Sequence, residues 1–474
     1  MAAETGGANL EKVDHVVVLM LENRSFDHML GYLSLEGGRG DVDGLREGLA
    51  NEHQGRRYPV HHLDTTAIAQ DPDHSASSVD LQIGDGKMDG FAVSYAASMR
   101  QDGLEDPDPA SIMGYYHRPD VPVYDHLADE FAICDRWFSS VPGATWPNRL
   151  YALCGRAAGS RDDRPHNLPP FYSQPSFVRH LDAHGISWRW YSSDVGSLRL
   201  ADELYALGHH DKFAYFTKTD LPWKAKANWR VGTGNATFLE DAAQGTLPSV
   251  SWIDPSWSNF NLFGFPENDD HPPADIRDGQ DLVLAVYHAL ATSPQWEKTL
   301  LIVFYDEHGG FFDHVPPPEA PDDDPKMFGR YGVRVPALIV SPWVQPRSVS
   351  STLFDHASII KTILLRFCAA DLQRRERRES LSTWLRTGHP HYMGTRVARA
   401  SDLGGLLIND TPRPAPAHDK LIAAAAARAA EQDRTSGPSG DHHEAGRPPS
   451  NDVQIRMAAA TKVLRHRGHP AGQP

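Results

Sequence analysis

Two stretches of this chain set oxygen-bearing side chains directly behind strand-like runs. Leu301-Ile302-Val303-Phe304-Tyr305 leads without a break into Asp306-Glu307-His308 and then into Gly309-Gly310. β-branched and aromatic residues give such a run strand character, and the glycine pair ends it. Packing gives no reason to finish a buried strand on two carboxylates, which repel one another unless a cation holds them. Val16 to Leu21 repeats the arrangement, handing over to Glu22-Asn23-Arg24-Ser25-Phe26-Asp27-His28 and a helical-looking Met29 to Leu33. Glu22, Asn23, Asp306 and Glu307 offer only oxygen, which suits a hard divalent metal ion, Ca²⁺ or Mg²⁺/Mn²⁺, better than a soft one. Taken singly, either stretch could be a strand-to-helix turn whose polar residues cap a helix. Occurring twice, they read as the two halves of one metal site.

A hydroxyl with the right setting lies between them. After the Pro142-Gly143 bend, Thr145 as N-cap with Pro147 just inside opens a helix whose apolar face continues through Leu150, Leu153 and Cys154. A hydroxyl there sits beside unpaired amide donors at the positive helix end, which favours a developing anion; the plain alternative is that Thr145 only caps the helix. His271 stands in Asn268-Asp269-Asp270-His271-Pro272-Pro273, a loop where nothing apolar asks for an imidazole. Arg24 and Arg149 are near enough in sequence to contact phosphate, or to pair with surface acids. His308 and His314 flank the acids and suit phosphate binding, support of the ligands, or ordinary structural bonding. Asp254 ends the strand-like Ser249 to Ile253 and could orient a histidine or cap the next turn. The aromatic groups Tyr115-Tyr116, Trp188 to Tyr191 and Trp252 to Trp257 could cage a ligand ammonium by cation-π contact, although such residues are more often core.

These residues need a scaffold, and the chain reads as an α/β fold. Apolar strands alternate with helices such as Asp275 to Thr292, so a largely parallel central sheet covered by helices on both faces is expected, with ligands bound beyond its carboxyl ends. Between 34 and 120 the text turns to Gly, Asp, His and Ser and reads as a long surface excursion of functional character. Residues 1–400 are expected to form the catalytic domain. Residues 401–474 are expected to form a helical, partly flexible tail, with an alanine-rich helix over 423–430, a linker over 436–450 and a basic terminal helix ending near Arg467.

Composition excludes several function classes. With 474 residues, 40% of them apolar, the chain can bury one large α/β core. A net charge of −16 with no basic run in its body argues against nucleic acid, and contact with an anionic membrane would have to be peripheral and local. No stretch approaches the ~20 apolar residues of a membrane span, and the N-terminus shows no signal segment. Cys134, Cys154 and Cys368 form no disulfide framework. Together these point to the cytoplasm, or to secretion if a signal has been removed. No oligomeric state follows from the sequence.

The blocks Glu22 to Gly31, Val141 to Arg149, Asp269 to Ile276 and Tyr305 to His314, in that order, resemble the phosphoesterase family of non-specific phospholipases C and related acid phosphatases. That family is part of the alkaline phosphatase superfamily, and the resemblance runs from about residue 13 to 370. It implies an alkaline-phosphatase-like fold, with Glu22, Asn23, Asp306 and Glu307 as metal ligands and Thr145 as a nucleophile that also touches the metal. His271 matches an active-site histidine, and His74, in the looser Asp71-Pro72-Asp73-His74 block, matches another. The activity implied is hydrolysis of phosphatidylcholine-type phospholipids to diacylglycerol and a phosphorylated head group through a phospho-threonine. A phosphomonoesterase acting on other phosphate esters, or a non-catalytic anion-binding relative, are the alternatives.

Overall fold

The computed structural model describes residues 9–164, 171–193, 195–217, 235–257, 267–375 and 393–436. Its strands, in chain order, are β1 (His15–Leu21), β2 (Ala50–His53), β3 (Arg56–Pro59), β4 (His61–His62), β5 (Gly114–Tyr115) and β6 (Ala132–Cys134). They continue with β7 (Trp188–Ser192), β8 (Phe213–Tyr215), β9 (Val250–Ile253), β10 (Thr299–Tyr305), β11 (Ala337–Val340) and β12 (Ser348–Ser350). Eight of them form the central sheet, in the order β12-β6-β11-β10-β1-β9-β7-β8. Every residue of β10 is buried, as is all of β1 after His15, so both sheet faces are covered, as the unbroken apolar runs require.

The sheet is mixed and mostly parallel. β11 alone runs against its neighbours, antiparallel to both β10 and β6. β10 therefore returns through residues 306–336 on the side of the sheet where it ended, with no crossover to the far edge. At the centre, β1 and β10 pair in parallel from His15 opposite Thr299 to Leu21 opposite Tyr305. That register delivers Glu22 and Asp306, each the next residue, at the same level.

Helix α1 (Phe26–Leu30) follows β1 after a short turn. The 34–120 region differs from expectation. It contains α2 (Ala76–Ile83) and α3 (Phe91–Gln101), and Val79, Ile83, Phe91, Tyr95 and Met99 belong to the main core. Polar and glycine-rich flanks hid two short helices whose apolar residues are few and mostly face inward, Leu81 and Val93 being the exposed ones. Helix α4 (Pro122–Glu130) leads to β6, α5 (Thr145–Cys154) carries the expected hydroxyl, and α6 (Ile276–Ala291) starts at the Asp275 N-cap. Helix α7 (Ala357–Arg375) packs beside α5, and α8 (Asp419–Ser436) closes the described chain.

The chain crosses residue 400 without leaving this body. Leu403 and Leu407 are buried in the main core, the Asn409 side chain donates to the Pro342 and Val344 carbonyls, and Arg428 on α8 bonds Asp281 on α6. The expected linker and basic terminal helix lie outside the described residues. All three cysteines are buried and unlinked.

Candidate active site

The backbone beyond β1 and β10 is locked before any side chain is considered. Asp306 N–H donates to the Leu21 carbonyl at 3.1 Å and Arg24 N–H to the Glu307 carbonyl at 3.1 Å. One Asp306 oxygen, Oδ1, accepts from the amides of Asn23 (3.1 Å) and Glu307 (2.6 Å). Asn23 takes φ 61°, a conformation asparagine tolerates better than most residues. Gly309 sits against it at φ 62°, where a Cβ would fall 2.2 Å from the Asn23 carbonyl oxygen, so the glycine break is needed for this close approach.

Thr145 is not the N-cap expected from the sequence. Ala144 holds that place with no side-chain cap, and Thr145 is the first helical residue, one position further in. The Trp146 amide donates to Asp163 Oδ1 at 2.7 Å, so the helix start is supported by an acid from outside the helix, and that amide is not the unpaired donor anticipated. The Thr145 hydroxyl is therefore not a capping group. It is fully buried and Oγ1 has no hydrogen-bond partner among the described residues.

One turn along α5, Arg149 brings the helix against the strand ends. Its guanidinium meets Glu22 Oε1 at 3.0 Å through Nε and 2.8 Å through Nη2, lies 3.4 Å from Asp306 Oδ2, and stacks 4.2 Å from the Trp257 ring. Arg149, expected on phosphate or a surface acid, is thus placed between two of the expected metal ligands. Its Nη1 has no hydrogen-bond partner among the described residues.

Two histidines border the same acids. His74 Nδ1 donates to the Pro72 carbonyl at 2.9 Å, and its Nε2 lies 3.3 Å from the Asn23 side-chain nitrogen. His74 Nε2 is also 3.9 Å from Glu307 Oε1. His271 Nδ1 donates to the Pro272 carbonyl at 2.9 Å, its Nε2 lies 3.7 Å from Asp71 Oδ2, and its ring faces His74 edge-on at 5.8 Å. Asp71 was not among the expected site residues, although it begins the Asp71-Pro72-Asp73-His74 block. His356 was missed altogether. Burial pushes it down to about 3, and as a neutral ring it donates Nε2–H to the Asp306 carbonyl at 2.5 Å while Nδ1 accepts from Trp137 at 3.3 Å.

Other expected site residues are committed elsewhere. Arg24 donates Nε and Nη2 to the Asp270 carbonyl (3.0 and 2.7 Å) and Nη1 to His28 (3.2 Å), so it braces the His271 loop and does not point at a phosphate. His308 Nε2 meets Gln82 Oε1 at 2.7 Å, which anchors the ring, and Nδ1 faces Glu307 Oε2 at 3.3 Å. His314 lies in a buried network with Asp27 (2.6 Å), which also holds Arg334 and Asp313. Asp254 accepts from Trp190, Trp252 and the amide and hydroxyl of Ser197, and Trp190 stacks on Trp252 at 5.0 Å. These indoles are core, and do not form a cage for an ammonium.

The electrostatics call for positive charge. Burial pushes the Asp306 carboxyl up to about 7, opposed by Arg149 and reinforced by the Glu307 carboxylate. Burial alone would also raise Glu307, but His74 and then His308 bring it below its ordinary value. Asn23 Oδ1, Thr145 Oγ1, Asp306 Oδ2 and Glu307 Oε1 are all buried and have no hydrogen-bond partner among the described residues. Buried polar atoms without partners are rare, and four oxygens in this state on adjoining elements fit a hard divalent cation.

Three comparisons bear on this site. The phosphoesterase family model matches residues 13–368. Non-specific phospholipase C6 of Arabidopsis thaliana is 35% identical over 377 residues, covering 73% of this chain and 66% of that protein, just under two thirds of its length. Phospholipase C A of Mycobacterium tuberculosis is 31% identical over 400 residues, covering 76% of this chain and 74% of that protein. Among solved structures, a Vibrio parahaemolyticus protein described as belonging to the alkaline phosphatase superfamily aligns over 77% of this chain and 74% of its own, at 12% identity and TM-score 0.37.

Proposed function

Because the chain belongs to the phosphoesterase family, we propose that it is a phospholipase C that hydrolyses phosphatidylcholine-type phospholipids to diacylglycerol and a phosphorylated head group. The observation that carries this reading is the Thr145 hydroxyl, buried in the first turn of α5 and bonded to no described residue. The names of the relatives, phospholipases C from a plant and a bacterium, support the substrate class.

Glu22, Asn23, Asp306, Glu307 and Thr145 would hold a divalent cation, which when bound supplies Lewis-acid stabilisation of phosphoryl charge and lowers the pKa of the hydroxyl. Thr145, its proton given up to solvent, attacks phosphorus in line. The Thr145 Oγ1–P bond forms as the bond from phosphorus to the diacylglycerol oxygen breaks. His271, held through Nδ1, passes the Nε2 proton to that oxygen. Water then attacks the same phosphorus, giving a proton back to His271; the water O–P bond forms as the Thr145 Oγ1–P bond breaks, which releases the phosphorylated head group and leaves the threonine oxygen to recover its proton from solvent. His74 packs against the Asn23 side chain and Glu307, and Arg149 moderates the charge of Glu22 and Asp306.

The test is release of phosphocholine from a short-chain phosphatidylcholine, with a soluble phosphomonoester assayed beside it. Wild type is expected to prefer the diester and to lose activity on chelation. Thr145→Ala is expected to lose about 10⁴-fold or more in kcat, as removal of a covalent nucleophile does. Unchanged phosphocholine release by the alanine variant would sink the reading, and preference for the monoester would reassign the substrate.

A further inference from the structure

A second group of metal-type ligands lies outside this site. Asp120 Oδ2 accepts from three donors: His62 Nε2 at 2.8 Å, His117 Nδ1 at 2.5 Å and the His117 amide at 3.0 Å. The two imidazoles meet edge to face with ring centroids 3.7 Å apart. The backbone fixes all three residues. β4 and β5 pair in parallel with His62 opposite Tyr115, and the Leu63 amide extends the ladder to the Tyr115 carbonyl. Asp120 closes a turn on the His117 carbonyl, and Gln280 of α6 holds the Asp120 carbonyl at 2.8 Å. The side chains of His62, His117 and Asp120 remain 34%, 30% and 20% exposed, so the open side of the cluster faces solvent.

The geometry points to a metal site of a different chemical class from the catalytic one: His62, His117 and Asp120 bind a borderline cation of the Zn²⁺ type, with a fourth position open to water. Two imidazole nitrogens and a carboxylate suit zinc, whereas the oxygen-only set of the active site suits a harder ion. The three ligand atoms already lie within 4.8 Å of one another. Opening the two ring-to-carboxylate contacts by less than about 1 Å brings each of those two to the ligand–ligand spacing of a tetrahedron with bonds of about 2.0–2.1 Å, and the two ring nitrogens are at most 4.8 Å apart. On binding, the cation takes the place of the ring proton on His62 Nε2 and on His117 Nδ1. Each neutral ring then carries its proton on the other nitrogen, which for His62 lies 3.9 Å from Asp64. Bound there, the ion clamps β4 to the segment that starts α4, bracing one wall of the 34–120 region.

The test is zinc content of the full chain, stripped of metal and then dialysed against Zn²⁺ alone, for wild type and His62→Gln/His117→Gln. The double variant is expected to hold about one zinc per chain less than wild type, whatever the active site retains, because each such site holds one ion. Its phosphoesterase activity is expected to be unchanged. Equal zinc in the two proteins would show plain imidazole-to-carboxylate bonding and overturn the proposal. Should the double variant fail to fold, histidine labelling of wild type with diethylpyrocarbonate decides. Slower modification of both His62 and His117 in zinc supports the site, and unaltered modification of both overturns it.

Discussion

His271 and Thr145 are both buried polar residues, and each is held by its backbone setting, with its reactive atom turned inward. With Nδ1 of His271 engaged by the Pro272 carbonyl, Nε2 is the atom left to take up and give up a proton, and Asp71 Oδ2 stands 3.7 Å from it. His271→Gln is therefore expected to lose about 10²–10⁴-fold on a phospholipid, whose leaving alcohol needs that proton. On a p-nitrophenyl diester, whose leaving group departs without one, the loss should shrink to a few-fold. Equal losses on both substrates would remove His271 from this role. The strand-end placement of Glu22, Asn23, Asp306 and Glu307 could be read in advance because they follow short apolar runs rich in β-branched and aromatic residues. Thr145 was misplaced by one position, since Ala144 gives no side-chain signal that it caps α5. Arg24, His308, His314 and Asp254 show what sequence withholds: residue type tells what a side chain can bond, but partners such as Gln82 or the Asp270 carbonyl come from distant chain.

Between elements, the register of β1 on β10 turns two separated stretches into one site, and the antiparallel β11 keeps the connection 306–336 beside it. Strand positions were legible from their apolar runs; the reversed direction of β11 was not, because a short buried strand carries no mark of its orientation. Along that connection, His314, Asp313 and Arg334 tie the loop to Asp27 on α1. Burial alone would lower the His314 imidazole, but Asp27 in contact raises it above its ordinary value. Burial would raise Asp27, but His314 and then Arg334 bring it below its ordinary value. A raised histidine contributes stability that is fully present below its unfolded pKa of about 6.5 and is lost as pH rises through the higher folded value. The lowered Asp27 contributes above its unfolded pKa and fades as pH falls through the folded one. Wild-type unfolding free energy is thus expected to decline on going from mildly acid to alkaline pH, and His314→Gln should flatten that decline. Parallel pH curves for the two proteins in urea denaturation would count against the pairing.

For the molecule as a whole, residues 403–436 are part of the body that holds the sheet. Leu403 and Leu407 enter the core, Arg413 reaches Glu130 at 3.1 Å and Arg428 reaches Asp281 at 2.6 Å. A chain ending at 402 is expected to be less stable than one ending at 436 by about 3–6 kcal/mol, from the two leucines at ~1.5–3 kcal/mol each. Equal midpoints in urea would show that this segment only rests on the surface. The alanine-rich composition near 423–430 concealed this docking, because small side chains give no stripe to read even when Ala425 is fully buried. The guanidinium of Arg149, wedged between Glu22 and Asp306, has one more effect at this scale. A resident countercharge, supplied by the polypeptide itself, keeps neighbouring strand tips from drifting apart under mutual repulsion. For the proposed cation site the expected consequence is a chain that folds without its ion and takes it up reversibly on a scaffold already in place.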